Sequence, residues 1–149
     1  MTTIERALAA DRDAIERLLT AAGLPLDGLE GALPLAVVAR DEGVIVGCAA
    51  VEQYGSVGLL RSVCVAADKR GTGLGRGLVA AVEELAAGRG IGELFLLTES
   101  AEGWFPRLGY MPSTRAAIPA ALSASPELAG ACPESAAVLS KVIIGTGRP

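Results

Sequence analysis

Apolar residues recur along this chain first at helical and then at strand spacing, and the switches between the two periods mark its elements. In DRDAIERLLTAA, residues 11–22, Ile15, Leu18, Leu19 and Ala22 fall on one side of a helix. Asp11 stands at the N-cap position and Gly23 where a helix stops. Residues 24–34 carry Pro25, Gly28, Gly31 and Pro34 and read as a loop or a short broken helix. LAVVAR, the turn DEG and VIVGCAAVEQY then predict a hairpin, residues 35–40 with 44–52. A further strand is expected over 58–65. A helix follows over 75–87, with Leu78, Val79, Val82 and Leu85 on one face and Gly88 and Gly90 at its end. ELFLLT, residues 93–98, is a short strand apolar enough to be buried on both faces. AEGWFPRLG reads as helical turns stopped by Gly109; a helix near 119–123 and a last strand, AAVLSKVII, follow. This order predicts one α/β domain, residues 1–149, around a mixed sheet.

Charge and rare residues narrow the chemistry. The net charge is −4, which gives no basic face for phosphate neutralisation, so no nucleic-acid partner is expected. No apolar run approaches the roughly 18–20 residues that span a bilayer, so no membrane partner is expected. MTTIERALAADRD lacks the apolar core of a signal peptide, and a cytoplasmic location is expected. The three cysteines, Cys48, Cys64 and Cys132, are odd in number and far apart, which suits reduced thiols. There is no histidine, so histidine triads, bases and metal sites are excluded, and no cysteine cluster is left to bind a metal.

KRGTGLGRGL, residues 69–78, places glycine at every second position from Gly71 to Gly77 beside Arg70 and Arg76. Lying between a strand and a helix, it can aim backbone amides at an anion held at the helix N-terminus. A P-loop would need Lys-Ser or Lys-Thr after the run, and a dinucleotide fingerprint would need glycine at Arg76 or Leu78; neither pattern is met. A glycine-rich turn with solvated arginines is the alternative.

The flanks add more. VCVAADKRGTGLGRGLVAAVEE resembles motif A of the GCN5-related N-acetyltransferase (GNAT) superfamily, with Arg70, Gly73 and Gly75 at the motif positions after Val63 and Val65. The first helix, the hairpin, the buried strand and WFPRLGY also look like landmarks of that superfamily. The resemblance implies a GNAT fold: a mixed sheet splayed between its fourth and fifth strands, helices on both faces, and acetyl-CoA as acyl donor. By resemblance, the backbone from Arg70 through Gly71, Thr72, Gly73, Leu74 and Gly75 to Arg76 holds the coenzyme's pyrophosphate. Val63 and Val65 pair with the pantetheine arm, and the Val65 amide polarises the thioester carbonyl.

Without histidine, a base must be a carboxylate, often acting through water; Glu52 and Glu99 fall near the expected cleft. The resemblance puts Phe105 where the superfamily carries a tyrosine general acid, so the acid is unassigned. Tyr110 is expected to pack, Tyr54 is a further donor candidate, and Cys64 is expected to be core filler and not a covalent nucleophile. LLTESAEGWFPRLGY is similar to the acetyltransferase region of N-acetylglutamate synthases. AAGLPLDGLEG and CPESAAVLSK are similar to short arsenic-resistance-associated N-acetyltransferases. Together they imply a small-molecule amine acceptor, a glutamate-like amino acid or a toxic phosphinothricin or arsenical analogue. Arg61 is then a candidate for its carboxylate, with Arg40 and Arg107 as others. The second reading is a catalytically weak acetyl-CoA-binding sensor. Dimerisation is common in that superfamily, and a homodimer through the Ala/Val-rich last strand stays open.

Overall fold

The computed structural model describes residues 1–128 and 135–143. Cys132, the CPE stretch and the end of the last expected strand lie outside the described residues. Seven strands form one sheet in the order β1-β2-β3-β4-β5-β7-β6. They are β1 (Thr2–Arg6), β2 (Ala36–Asp41), β3 (Val44–Tyr54), β4 (Val57–Val65), β5 (Glu93–Thr98), β6 (Met111–Pro112) and β7 (Ala137–Val142). The helices are α1 (Arg12–Ala21), α2 (Leu29–Ala32) and α3 (Leu74–Ala87), with short 3-10 turns between elements. The pair β4–β5 is parallel and its neighbours are antiparallel, which is the expected mixed α/β sheet.

Alternation along the strands sorts the core into two layers. Val37, Ala39, Val51, Leu60, Leu94, Leu96 and Leu139 pack on the face covered by α3, through Leu78, Val79, Val82 and Ala86. On the opposite face Val38, Cys48 and Cys64 meet Ile15 and Leu19 of α1 and Leu29 of α2. Further along that face Leu59, Phe95 and Val138 meet Leu122, so β5 is covered on both faces, as its composition predicts.

The α1 boundaries follow the sequence closely, and its C-terminus closes as a Schellman motif, Gly23 N to Thr20 O at 3.1 Å and Leu24 N to Leu19 O at 3.0 Å. Asp11 does not cap α1 with its side chain. Its carboxylate accepts from Leu8 N at 2.7 Å and from both terminal nitrogens of Arg40, at 3.0 and 2.5 Å. That pairing removes Arg40 from the candidate substrate ligands.

Candidate active site

Strands β4 and β5 pair only through Val57↔Glu93, Gly58↔Leu94 and Leu59↔Phe95. Beyond them the strands part, and a cleft of about 590 Å³ opens between Leu60–Val65 and Leu96–Thr98, within the range of small-ligand sites. A bulge helps to bend β4 away. The register with β3 shifts between Cys48↔Cys64 and Ala50↔Arg61, so Ser62 and Val63 together span the place of Ala49. Ser62 takes a left-handed φ of 59° there. The β4 edge from Leu60 to Val65 thus has no β5 partner and can receive an extended, amide-bearing ligand. Val63 and Val65 line this wall.

After β4 the chain makes a 3-10 turn, Ala67–Lys69, and reaches the glycine run. Thr72 Oγ1 donates to Lys69 O at 2.6 Å and Arg70 Nε donates to Val65 O at 3.2 Å, which fixes both ends of the loop. Gly73 is the N-cap of α3 at φ 83°, and no side chain caps the helix. The first backbone bond of α3 runs from Gly77 N to Gly73 O, so the amides of Leu74, Gly75 and Arg76 precede the intrahelical ladder. A Cβ on Gly71 or Gly73 would meet nothing within 4 Å, so open space faces this backbone. Unpaired amides beside open space fit a pyrophosphate. Gly75 has a different cause: a Cβ there would come within 3.1 Å of Trp104 Cζ2. Trp104 thereby ties the cleft wall to the start of α3.

The acceptor end holds a buried charge cluster. Glu52 and Arg61 lie diagonally across β3 and β4, since Glu52 faces Leu59 and Arg61 faces Ala50. Arg61 Nη1 donates to Glu52 Oε2 at 2.7 Å, and Arg61 Nε lies 3.5 Å from Glu127 Oε2. The guanidinium also donates to Ser62 Oγ at 3.0 Å, to Pro25 O at 3.2 Å and to Asp27 O. Its side chain is 0% exposed, against 4% for Glu52 and 5% for Glu127. Glu52 Oε1 accepts from the Tyr54 hydroxyl at 2.5 Å. Both Glu52 oxygens are therefore engaged and the residue does not line the cleft, whereas Glu99, just past β5, lines it and is exposed. The two carboxylates paired by sequence position are separated in role: one holds an arginine, the other faces the ligand space. Arg61 and Glu127 both line the cleft, and Arg61, with its side chain unexposed, presents no bare cation.

Among the other candidates, burial and then the Glu52 hydrogen bond push the Tyr54 phenol up to about 12, which makes it a poor proton donor. Phe105 is buried edge-on between Trp104 and Tyr110, at 4.8 and 5.7 Å between ring centroids. Tyr110 packs as expected, and its hydroxyl donates to Glu83 Oε2 at 2.7 Å. Burial raises the Cys64 thiol, which keeps it protonated and unsuited to attack. Arg107 is exposed and lies outside the cleft lining. Among the described residues no group of three potential ligands could hold a metal ion, and no helix is long and apolar enough to cross a membrane. Sequence reasoning missed Glu127. It sits after a 3-10 turn with no periodic pattern, and only its ionisable side chain in an apolar neighbourhood marks it.

Comparison with known proteins gives the same picture. The acetyltransferase (GNAT) domain profile matches residues 34–112. An amino-acid acetyltransferase from Ralstonia nicotianae is 39% identical over 79 residues, covering 52% of this chain and 18% of that protein. This chain therefore spans less than a fifth of that relative's length. The N-acetylglutamate synthase of Neisseria gonorrhoeae, solved with coenzyme A and N-acetyl-glutamate, superposes with a TM-score of 0.82 at 22% identity, over 97% of this chain and 36% of that one. Rv2747 from Mycobacterium tuberculosis, solved with CoA, superposes with a TM-score of 0.78 at 21% identity, over 95% of this chain and 99% of that one. At these identities the structures establish the shared fold.

Proposed function

The chain belongs to the acetyltransferase (GNAT) family, and we propose that it transfers an acetyl group from acetyl-CoA to the amine of a small, glutamate-like amino acid, toxic phosphinothricin-type and arsenical analogues included. The observation that carries this reading is the parting of β4 and β5 into a cleft beside the uncapped start of α3. Acetyl-CoA supplies an activated thioester, and this chain's residues do the rest. The amides of Gly71 to Arg76, with the Arg70 side chain, take the pyrophosphate. The free edge at Val63 and Val65 takes the amide-bearing arm, and the Val65 amide polarises the carbonyl. Glu99 accepts the amine's proton through water, since it is the exposed carboxylate of the cleft wall. Glu52 is a positioning residue that holds Arg61 and Tyr54. Phe105 offers no proton, so the thiolate leaves with its proton drawn from solvent.

The choice of acceptor is supported by the curated relatives' description as amino-acid acetyltransferases. Arg61 supports it too. It lines the cleft beside Arg70, where a substrate carboxylate would meet a guanidinium that Glu52 and Glu127 already pair. The test is thiol release from acetyl-CoA against glutamate, phosphinothricin, an arsenical analogue, a polyamine and a peptide amine. Turnover confined to the glutamate-like members is expected. Equal turnover of the polyamine would refute the acceptor class. Phe105 favours a second reading, a coenzyme-binding sensor, and tight CoA binding with no turnover of any amine would establish it.

A further inference from the structure

The backbone of Val65 faces the cleft. Gly47 and Val65 are register partners of β3 and β4, and the adjoining pair is hydrogen-bonded, Ala66 N to Val46 O at 2.8 Å. Antiparallel pairs alternate between bonded and unbonded, so the N–H and C=O of Val65 point away from β3, towards the side that β5 has left. A ligand added there as a strand uses both groups, one as donor and one as acceptor. The carbonyl is already taken, because Arg70 Nε donates to it at 3.2 Å. We propose that Arg70 is a latch on the β4 edge, drawn off the Val65 carbonyl by the coenzyme's diphosphate so that the amide-bearing arm pairs there. This rests on the reading above that the cleft takes coenzyme A.

The latch is lightly held. Arg70 is exposed and lines the cleft. The bond to Val65 O is its one side-chain hydrogen bond among the described residues, and no carboxylate there pairs with it. Arginine meets a phosphate through two parallel charge-assisted bonds, against this single bond to a neutral carbonyl. Arg70 also opens the run of backbone from Gly71 to Arg76 that faces the diphosphate. A Cβ on Gly71 or Gly73 would meet nothing within 4 Å, so the side chain has room to swing along that run. Anion and carbonyl therefore compete for one guanidinium.

The competition couples the two ends of the coenzyme site. Phosphate binding raises the affinity of the β4 edge for the arm, and by reciprocity the arm favours the phosphate. A thioester without phosphates has nothing to draw Arg70 away. Its apparent affinity falls by the fraction of molecules whose latch is open. Arg70 thus sets a preference for the full coenzyme over shorter thioesters. A residue that only tied the loop to β4 behaves otherwise: its removal would weaken both kinds of ligand.

The test is an NMR titration, which reads millimolar binding, of S-acetylpantetheine and of CoA into the wild type and Arg70→Met. The variant keeps an apolar stem without donor or charge. S-acetylpantetheine is expected to bind Arg70→Met about two- to fivefold tighter, the share of one exposed hydrogen bond, and CoA about tenfold weaker. Saturating inorganic pyrophosphate should tighten S-acetylpantetheine on the wild type by a similar factor and leave it unchanged on the variant. Equal or weaker binding of S-acetylpantetheine by Arg70→Met overturns the latch, as does its failure to bind either protein or the lack of a pyrophosphate effect. CoA bound by the wild type without this coupling refutes the latch alone. A wild type that bound no CoA would refute the coenzyme reading and the latch with it.

Discussion

Replacing Glu52 by alanine separates a structural carboxylate from a catalytic one. In the native protein Glu52 is 3% exposed, and Arg61 behind it has no exposed side-chain surface. Removing the carboxylate leaves the guanidinium buried with Glu127 at 3.5 Å as its remaining anion, and takes the acceptor from the Tyr54 hydroxyl. Breaking a buried pair from one side costs about 3–5 kcal/mol. Glu127 still offsets part of the charge, which places Glu52→Ala near the lower end, about 3–4 kcal/mol. A domain of this length has roughly 5–15 kcal/mol in all, so the loss is a large share. At about 2–4 °C per kcal/mol, the thermal midpoint should fall by about 6–16 °C. Glu52→Gln keeps the shape and an acceptor oxygen and should lose about 1–2 kcal/mol. Urea unfolding followed by circular dichroism and by emission of Trp104, the single tryptophan, reads both variants. A loss below about 1 kcal/mol for Glu52→Ala with an unchanged m value, alongside a hundredfold or greater fall in kcat, would refute the reasoning and restore Glu52 as the base.

Gly73→Asp should weaken CoA binding by more than about tenfold, because it sets a negative charge among the amides assigned to the pyrophosphate. Its Cβ meets no neighbour, so calorimetry should show the loss while stability falls only by the roughly 1–2 kcal/mol of a side chain at φ 83°. The hydrogen bonds from Arg40 hold the Asp11 carboxyl below its ordinary value. A depressed carboxylate stabilises the fold above its unfolded pKa, about 3.9, and loses that contribution as pH falls through the lower folded value. Acid unfolding of Asp11→Asn should accordingly be flatter below about pH 4 than that of the wild type; parallel curves would contradict the assignment.

Elements with a strong period are legible in the order of residues alone. The helix over 75–87 buries Leu78, Val79 and Val82 as its spacing requires, and β5 is covered on both faces. β1 escapes such a reading because all five of its residues are exposed, so no alternation marks it, and its pairing with β2 is set by the sheet edge. β6 is two residues long and carries no period at all. At the site, the glycine run is readable because left-handed backbone and close approach demand that residue type. The partition of Glu52 from Glu99 is not. It depends on the diagonal placement of Glu52 and Arg61 across a bulged hairpin, and register is a tertiary property. Glu127 reaches Arg61 from 66 residues further along the chain, with no local signal for the pairing.

The most direct measurement follows the acetyl group itself. Acetyl-CoA labelled in its acetyl carbons would be mixed with the protein and glutamate for a single turnover, and the protein and small molecules analysed separately. Direct transfer predicts label on the amine nitrogen of the acceptor and none on Cys64 or elsewhere on the chain. Label retained on the protein would contradict direct attack, and label left entirely on coenzyme A would contradict acetyl transfer to this acceptor.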